Sequence, residues 1–343
     1  MMRNIKALNF IRVLILNVHI CVVSLSLSNN VRSHSFKNIP LPSPASGSES
    51  FAFDSDSNGP YTGLNDGRIV KYHGHKTGFL DFATTAPNRS KELCDGTNGD
   101  DLKRGLLCGR PLGLEFNHKT RELYIVDAFQ GLMVVGANGG LANLPRGRDG
   151  VPFDAPDAIA INPITGHVYF TDVGAIFFKT TNMSEILQSG DTGGRLLKYN
   201  PKTKQRTVVL TGLSVPNGVA VSRDGSFVLI SEYIACRIRR LWLTGSRANS
   251  WDIFAQLPGN PDNIKRTKTG DFWVPVNIQK LYPKLVSFPL GQKINVHGEI
   301  VETVNFYREY NSTYVTEVQE HEGSLYVASV YTHSVGVYRG ITC

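Results

Sequence analysis

Pro156-Asp157-Ala158-Ile159-Ala160-Ile161-Asn162 is the clearest copy of a short stretch that recurs along the chain. A polar residue comes near its start, an alternating strand follows, and a turn leads to a second strand over residues 168–172. Aligning six such copies gives the lead residues Glu49, Leu112, Asp157, Asn217, Asp262 and Thr316. Their spacing of 45 to 63 residues, with strand–turn–strand content, is typical of four-stranded propeller blades. The sequence therefore predicts an all-β, six-bladed β-propeller with four-stranded blades around a central channel.

The lead residues also predict a metal site. In a propeller the innermost strands surround the channel, so equivalent positions form a ring at one depth. Four of the six are Glu49, Asp157, Asn217 and Asp262. Three carboxylates converging on one axis repel each other unless a cation lies among them, and oxygen-only ligands suit Ca²⁺. We predict that these four residues bind Ca²⁺. The alternative is that Asp and Asn only cap turns before strands.

The chain divides into a leader, a short lead-in and one closed domain. Residues 1–28 have a basic start, an apolar run over 13–25 and small residues at 26–28, as in a secretory signal peptide. An uncleaved anchor is the alternative. No later stretch is long and apolar enough to span a bilayer, so we expect no stable membrane insertion after cleavage. The Ser- and Pro-rich lead-in, residues 29–48, includes a candidate strand at 36–41 that would close the last blade. The propeller is expected over residues 49–343.

The charge of the chain argues against nucleic-acid binding. The formal charge is +7, and removing the leader with Arg3, Lys6 and Arg12 lowers it to +4. The densest basic cluster, Arg237, Arg239 and Arg240, lies in an alternating strand and is expected on a solvated outer face. We expect a small-molecule substrate instead.

The cysteines and glycosylation motifs indicate a secretory route. Cys94 and Cys108 flank a polar loop, and in an oxidising compartment a disulfide there would contribute roughly 3 kcal/mol. Two free thiols are the alternative, and Cys236 and Cys343 stay unassigned. Three acceptor motifs begin at Asn88, Asn182 and Asn311. Together with the leader they predict a glycoprotein of the secretory pathway, vacuolar or extracellular.

Strand register suggests one candidate for the general base that a metal-dependent hydrolase needs. His321 lies in the sixth inner strand, and a base near the metal would activate water. The alternative is that His321 is a structural residue.

Several motifs resemble the plant strictosidine synthase and strictosidine synthase-like family over roughly residues 36–340. They include Asp66-Gly67-Arg68-Ile69-Val70-Lys71-Tyr72, Cys108-Gly109-Arg110-Pro111, Asp149-Gly150-Val151-Pro152-Phe153 and Gln319-Glu320-His321-Glu322-Gly323. The resemblance implies a six-bladed propeller, a disulfide between Cys94 and Cys108, secretion or vacuolar delivery, and glycosylation.

The resemblance also implies where a synthase would carry its chemistry. Strictosidine synthase condenses tryptamine with secologanin in a Pictet–Spengler reaction, and its catalytic glutamate opens the sixth inner strand. Thr316 occupies that position here, and Ala155 and Asp157 replace a tryptophan and a tyrosine of that enzyme's pocket. A threonine cannot act as the required acid and base near neutral pH.

The lead residues are similar, position by position, to the metal ligands of the gluconolactonase/regucalcin propellers, with paraoxonase-type lactonases as more distant relatives. The favoured hypothesis is therefore a Ca²⁺-dependent ester or lactone hydrolase that uses Glu49, Asp157, Asn217 and Asp262. A strictosidine synthase-type condensation and a non-enzymatic binding or defence-related propeller are the two alternatives.

Overall fold

The computed structural model describes residues 35–97, 102–143, 154–179, 182–281, 285–311 and 313–340. The expected signal peptide, residues 1–28, and Cys343 lie outside the described residues. Within these ranges no helix is long and apolar enough to cross a membrane.

The first half of the chain forms three blades. After β1 (Ser35–Pro40), blade one contains β2 (Phe51–Ala52), β3 (Tyr61–Gly63), β4 (Arg68–Tyr72) and β5 (Phe79–Thr84). The helices α1 (Lys91–Cys94) and α2 (Leu102–Cys108) lead to blade two, which contains β6 (Pro111–Asn117), β7 (Glu122–Asp127) and β8 (Gly131–Val135). The short β9 (Gly140–Leu141) pairs in parallel with β5. Blade three contains β10 (Pro156–Ile161), β11 (Val168–Asp172), β12 (Gly194–Asn200) and β13 (Gln205–Leu213), with α3 (Ile176–Lys179) and α4 (Met183–Gln188) between β11 and β12.

The second half forms the other three blades. Blade four contains β14 (Pro216–Val221), β15 (Phe227–Glu232), β16 (Arg237–Trp242) and β17 (Trp251–Gln256). Blade five contains β18 (Asn260–Pro261), β19 (Lys265–Arg266), β20 (Phe272–Leu281), β21 (Leu285–Ile294) and β22 (Ile300–Asn305). Blade six contains β23 (Glu317–His321), β24 (Ser324–Ala328) and β25 (Ser334–Arg339). The predicted all-β, six-bladed propeller is confirmed.

The N-terminal strand joins the two ends of the described chain. β1 pairs antiparallel with β25, with Phe36 opposite Tyr338, and so forms the outer strand of blade six. This is the position expected for residues 36–41. The Phe36 ring packs 4.7 Å from the Tyr338 ring, measured between centroids. An edge strand that would otherwise be open is thereby covered.

The hydrophobic core is divided among the spaces between neighbouring blades. Six buried clusters lie between successive blades around the ring, including the one between blades six and one. Alternating strands produce this pattern because each blade presents one apolar face to each neighbour. The clusters hold the inner strands in fixed positions around the channel.

One expectation about the surface is wrong. Arg239 is buried and, with Arg237, pairs with the fully buried Glu232, at 2.8 Å and 2.6 Å respectively. The Arg240 guanidinium pairs with Asp252 and lies over the Trp242 ring. The basic cluster is therefore an ion-paired part of blade four and not a simple solvated face.

Candidate metal centre

The six lead residues lie at the start of the innermost strand of each blade. Asp157 and Asn217 are the second residues of β10 and β14, and Asp262 directly follows β18. Glu49 lies just before β2, and Thr316 just before β23. The inner strands contact one another around the channel, as β10 does with β6 and β14. The predicted ring therefore forms at one end of the channel.

Buried acids at the ends of the second strands hold these strand starts in place. Asp127 accepts a hydrogen bond from the backbone N–H of Arg110 at 2.7 Å, and Asp172 accepts one from Ala155 at 2.9 Å. Glu232 does the same for Ser214 at 2.9 Å. Each acid is the last residue of the second strand of its blade, which pairs with the inner strand. An acidic residue at this position is a sequence signal that the alignment of lead residues did not use.

The acidic members of the ring are shielded from solvent. Glu49, Asp157 and Asp262 are 5%, 8% and 6% exposed. The Asn217 side chain hydrogen-bonds to the Asp262 carboxylate. Asn263 donates from Nδ2 to Oε1 of Glu49 at 3.3 Å. The four predicted ligands are thus brought together at one buried site, with polar neighbours already in contact with them.

The three carboxylates influence one another's ionisation. Burial, followed by the charges of Asp262 and Asp157, raises the pKa of Glu49 well above its usual value. Burial and the Asp157 charge do the same for the pKa of Asp262. Burial raises the pKa of Asp157 to about 7. The three carboxyls therefore resist being ionised together unless a cation lies among them.

Arg110 is the nearby cation that the sequence reasoning missed. It is 4% exposed, and its charge lowers the pKa of both Asp157 and Glu49. Ionisation of all three carboxyls beside one guanidinium would leave two negative charges, the amount that one divalent cation would balance.

The donor set fits a hard cation, although the ligands are not yet at bonding distance. Asp157 Oδ2 and Asp262 Oδ1 are buried oxygens without a hydrogen-bond partner. Carboxylate and amide oxygens are the ligands that Ca²⁺ prefers. In the described part of the chain, however, no three His, Cys, Asp or Glu side chains stand at metal-ligand spacing. Binding would require these side chains, including the Asn217 amide that now contacts Asp262, to rotate toward a common point.

Thr316 contributes no acid to the ring. Its hydroxyl donates to the backbone oxygen of Glu49 at 2.9 Å and so links blades six and one. The neighbouring Glu317 accepts from the backbone N–H of Phe51 at 2.7 Å. Thr316, which the resemblance predicts to occupy the position of the synthase glutamate, makes a structural hydrogen bond here.

His321 is not part of the ring. It ends β23, roughly 16 Å from Thr316 at about 3.3 Å per strand residue. Its imidazole stacks on Phe53 with a centroid separation of 3.6 Å, and Nε2 lies 3.3 Å from the Ser57 carbonyl oxygen. Burial lowers its pKa. His321 is a packed residue of the β23–β24 hairpin, and we do not assign it the role of base.

A buried lysine crosses the channel one layer beyond the ring. Lys265 Nζ donates to the backbone oxygens of Leu114 and Phe51 at 3.2 Å and 3.3 Å. It also lies 3.5 Å from Glu317 and 3.6 Å from Glu115. Burial raises the pKa of Glu317 to about 7, against the lowering effect of Lys265. Lys265 of blade five therefore joins blades one, two and six.

The opposite side of the ring is covered by a small apolar cluster. Because Pro156 pairs with Asp172, the segment that follows β11 lies at the same end of the channel as Asp157. Ile186 of α4 packs there with Val173, Val215 and Tyr233. Burial, with Asp262 nearby, raises the pKa of Tyr233 well above its usual value.

The predicted disulfide is confirmed, and the three glycosylation motifs stay predictions. Cys94 and Cys108 form a disulfide with a Cα–Cα distance of 5.5 Å, which links α1 to α2. Asn88, Asn182 and Asn311 are all exposed. The Asn182 side chain caps α4 by accepting from the Ser184 N–H at 3.0 Å.

Comparison with known proteins decides the family. The sequence model of the family described as strictosidine synthase matches residues 157–246. Protein STRICTOSIDINE SYNTHASE-LIKE 12 of Arabidopsis thaliana is 41% identical over 319 residues, covering 92% of this chain and 93% of the relative. The chain belongs to the strictosidine synthase-like family.

Among its relatives, this strictosidine synthase-like chain is 38% identical over 289 residues to the strictosidine synthase of Catharanthus roseus, covering 83% of this chain and 81% of that enzyme. Its fold is similar to that of a gluconolactonase from Xanthomonas campestris, with a TM-score of 0.59, 12% identity and coverage of 90% and 98%. The calcium-binding protein regucalcin from Agrobacterium tumefaciens gives a TM-score of 0.57, 14% identity and coverage of 89% and 94%. These structural similarities concern the fold alone.

Proposed function

We propose that this strictosidine synthase-like propeller is a Ca²⁺-dependent hydrolase of esters or lactones that acts in the secretory pathway, the vacuole or outside the cell. The observation that carries the proposal is the buried group of Glu49, Asp157 and Asp262, in which neighbouring carboxylates raise the pKa of Glu49 and of Asp262, and Asp157 Oδ2 and Asp262 Oδ1 have no hydrogen-bond partner; such a group suits a divalent cation. The disulfide supports an oxidising compartment.

The residues of the ring have separate tasks in this proposal. Glu49, Asp157, Asn217 and Asp262 would hold the cation, and Arg110 supplies a fixed positive charge beside Asp157. A bound Ca²⁺ supplies a Lewis acid for the substrate carbonyl oxygen. Hydrolysis adds the hydroxyl of one water to the carbonyl carbon and breaks the single bond from that carbon to the alkoxy oxygen, which takes the proton; an ester gives a carboxylic acid and an alcohol, and a lactone gives one hydroxy acid. Lys265 fills the channel behind the ring, so substrate would enter past Tyr233 and the segment containing α3 and α4.

Calorimetry on chelator-stripped protein tests the cation, and hydrolysis of p-nitrophenyl acetate and δ-valerolactone tests the reaction. We expect one saturable Ca²⁺ site and Ca²⁺-dependent turnover, both lost in Asp262→Ala. Asp271→Ala is the matched control because Asp271 lies at the other end of blade five, in the turn before β20. Ca²⁺ binding without turnover of either compound would favour a non-enzymatic binding propeller. Turnover retained in Asp262→Ala would refute the proposal.

A strictosidine synthase-type condensation is the second candidate, favoured by the 38% identity to the Catharanthus roseus enzyme. Its weakness is that Thr316 carries no ionisable group and that Glu317 faces Lys265 and the Phe51 N–H. Mass spectrometry of reactions with tryptamine and secologanin decides the matter. Formation of the condensed product would establish this activity in place of the hydrolase.

A further inference from the structure

Tyr233 lies near Asp262, at the end of the channel where the ring forms. It directly follows β15, is 2% exposed and packs against Val215 and Ile186. Two hydrogen bonds fix its segment beside Asp262. Asn260 donates from Nδ2 to the Tyr233 backbone oxygen at 2.9 Å, and Ser231 donates from Oγ to the Asp262 backbone oxygen at 2.6 Å. The phenol is therefore held by the same segment that holds a ring carboxylate.

The hydrogen bonding of the phenol leaves its proton for another acceptor. Gln279 donates from Nε2 to the Tyr233 hydroxyl oxygen at 3.1 Å, so this contact uses the oxygen as acceptor. A tyrosine is protonated at neutral pH and has one hydrogen to donate. Within the described part of the chain, no hydrogen bond of the Tyr233 hydroxyl uses that hydrogen. A buried donor of this kind is costly unless a ligand or solvent atom receives it.

The surroundings of the phenol are apolar and aromatic. Tyr314 and Tyr331, whose ring centroids are 5.9 Å apart, both lie near enough to Tyr233 to affect its ionisation. Tyr331 is 58% exposed, Tyr314 is half-buried and Tyr233 is buried, so the three rings extend from solvent toward the ring of carboxylates. On another side, Ile176, Met183 and Leu187 pack against the cluster that contains Tyr233. Such a wall suits an apolar substituent better than a sugar.

We propose that Tyr233 donates its phenolic hydrogen to the carbonyl or developing oxyanion oxygen of an ester or lactone bound at the ring, and that this substrate carries an aryl or alkyl group against the tyrosines. This inference rests on the proposed function. Gln279 is a positioning residue, because its amide occupies the phenol oxygen and leaves the hydrogen directed elsewhere. Donors aimed at a developing oxyanion stabilise the transition state more than the ground state.

The test uses phenylphosphonate, a tetrahedral anion with an aromatic ring, as a binding probe for the full-length secreted protein with and without Ca²⁺. We expect Tyr233→Phe to weaken phenylphosphonate binding about tenfold or more, since a hydrogen bond to a charged group is lost. Turnover of p-nitrophenyl acetate should fall roughly 100-fold. Ca²⁺ affinity should stay unchanged. Tyr169→Phe, which removes a hydroxyl from a buried tyrosine of the core between blades three and four, is the control.

A second variant tests the direction of the hydrogen bond. In Gln279→Glu an ionised carboxylate can only accept, so it would draw the phenolic hydrogen away from the substrate and weaken probe binding as Tyr233→Phe does. If the Gln279 oxygen already accepted that hydrogen, Gln279→Glu would leave probe binding unchanged, and the inference would be wrong.

The outcomes separate this inference from the hydrolase proposal. Probe binding that depends on Tyr233, without hydrolysis of any ester or lactone, would keep the donor assignment and refute the hydrolase. Equal probe binding by the wild type and Tyr233→Phe, or no probe binding by either, would overturn the donor assignment. Circular dichroism and the melting temperature of each variant exclude a folding defect as the cause.

Discussion

Replacing Lys265 with methionine removes the cation that joins four blades across the channel while keeping a similar side-chain volume. The change leaves the Glu317 carboxylate, 0% exposed, without the ammonium that lies 3.5 Å away. It also removes the donor to the backbone oxygens of Leu114 and Phe51. Removing one partner of a buried ion pair costs about 3–5 kcal/mol, because the other charge stays buried. We therefore expect Lys265→Met to lower the free energy of unfolding by about 4 kcal/mol at pH 8.

The cost should depend on pH in a direction set by Glu317. Burial raises the pKa of Glu317 from 4.5 to about 7 even with Lys265 present. A carboxyl whose folded pKa is raised contributes most stability below its unfolded pKa and loses it as pH rises through the folded pKa. Without Lys265 the folded pKa rises further, so the loss continues to higher pH. The penalty of Lys265→Met should accordingly be smaller at pH 5, where Glu317 is protonated, than at pH 8.

Equilibrium urea unfolding at pH 5 and pH 8 measures both effects. The double variant Lys265→Met/Glu317→Gln removes both charges together and should recover about half of the loss at pH 8. Lys71→Met is the control. Its Nζ lies 3.4 Å from Asp54, but both side chains contact solvent, so it should cost less than about 1 kcal/mol. Equal penalties at the two pH values, or no recovery in the double variant, would show that Lys265 does not offset Glu317.

Three further outcomes follow from the fold and the ring. Cys94→Ala/Cys108→Ala should cost about 3 kcal/mol and lower the melting temperature by roughly 5 °C in calorimetry; an unchanged transition would mean that the disulfide constrains little. Deleting residues 29–42 removes β1 and should lower the melting temperature by several degrees, measured on secreted protein, unless blade six is stable without its outer strand. In chelator-stripped protein at pH 8, Asp262→Asn should raise the free energy of unfolding by about 1 kcal/mol or more, because a carboxyl with a raised pKa loses stability as pH rises. Saturating Ca²⁺ should make the wild type the more stable of the two proteins. Thermal melts in which Ca²⁺ does not reverse their order of stability would count against the metal site.

The repeat could be found in the sequence because it consists of short-range patterns of polar and apolar residues. Each inner strand begins with a polar residue and continues with alternating apolar residues, as over Pro156–Ile161. Strand register then carries every lead residue to the same depth. The alignment of Asp157, Asn217 and Asp262 thus predicted that these side chains meet. Strand geometry equally explains why His321 lies away from the ring: it is in the sixth inner strand, but five residues beyond the lead residue Thr316.

The partners of the ring could not be found in this way, because they depend on contacts across the channel. Lys265 reaches Leu114 from 151 positions away and Phe51 from 214 positions away. The approach of Arg110 to Asp157 depends on the path of the chain before β6. The hydrogen bond from the Arg110 backbone N–H to the Asp127 carboxylate fixes that path. No local pattern of hydrophobicity or turn residues specifies such pairs.

The fixed charges inside the channel leave the ring accessible from one end of the channel. Lys265 and its neighbours Leu114, Phe51 and Glu115 lie two or three residues further along the inner strands than the lead residues, roughly 7–10 Å deeper at about 3.3 Å per residue. The fourth neighbour, Glu317, lies one residue beyond Thr316. A cation or carbonyl compound at Asp157 and Asp262 is therefore separated from the far end of the channel by a fixed ammonium. In the proposed hydrolase, substrate selection would depend on the residues at the near end, where Tyr233, Gln279 and α4 lie. Asp157 lies at the start of an inner strand, whereas Tyr233 directly follows a second strand, so the residues around Tyr233 can change without altering the four proposed metal ligands. Exchanging the segment 173–193 for that of a relative should accordingly change the preferred ester while leaving Ca²⁺ affinity within about twofold, because none of the four ring residues lies in that segment.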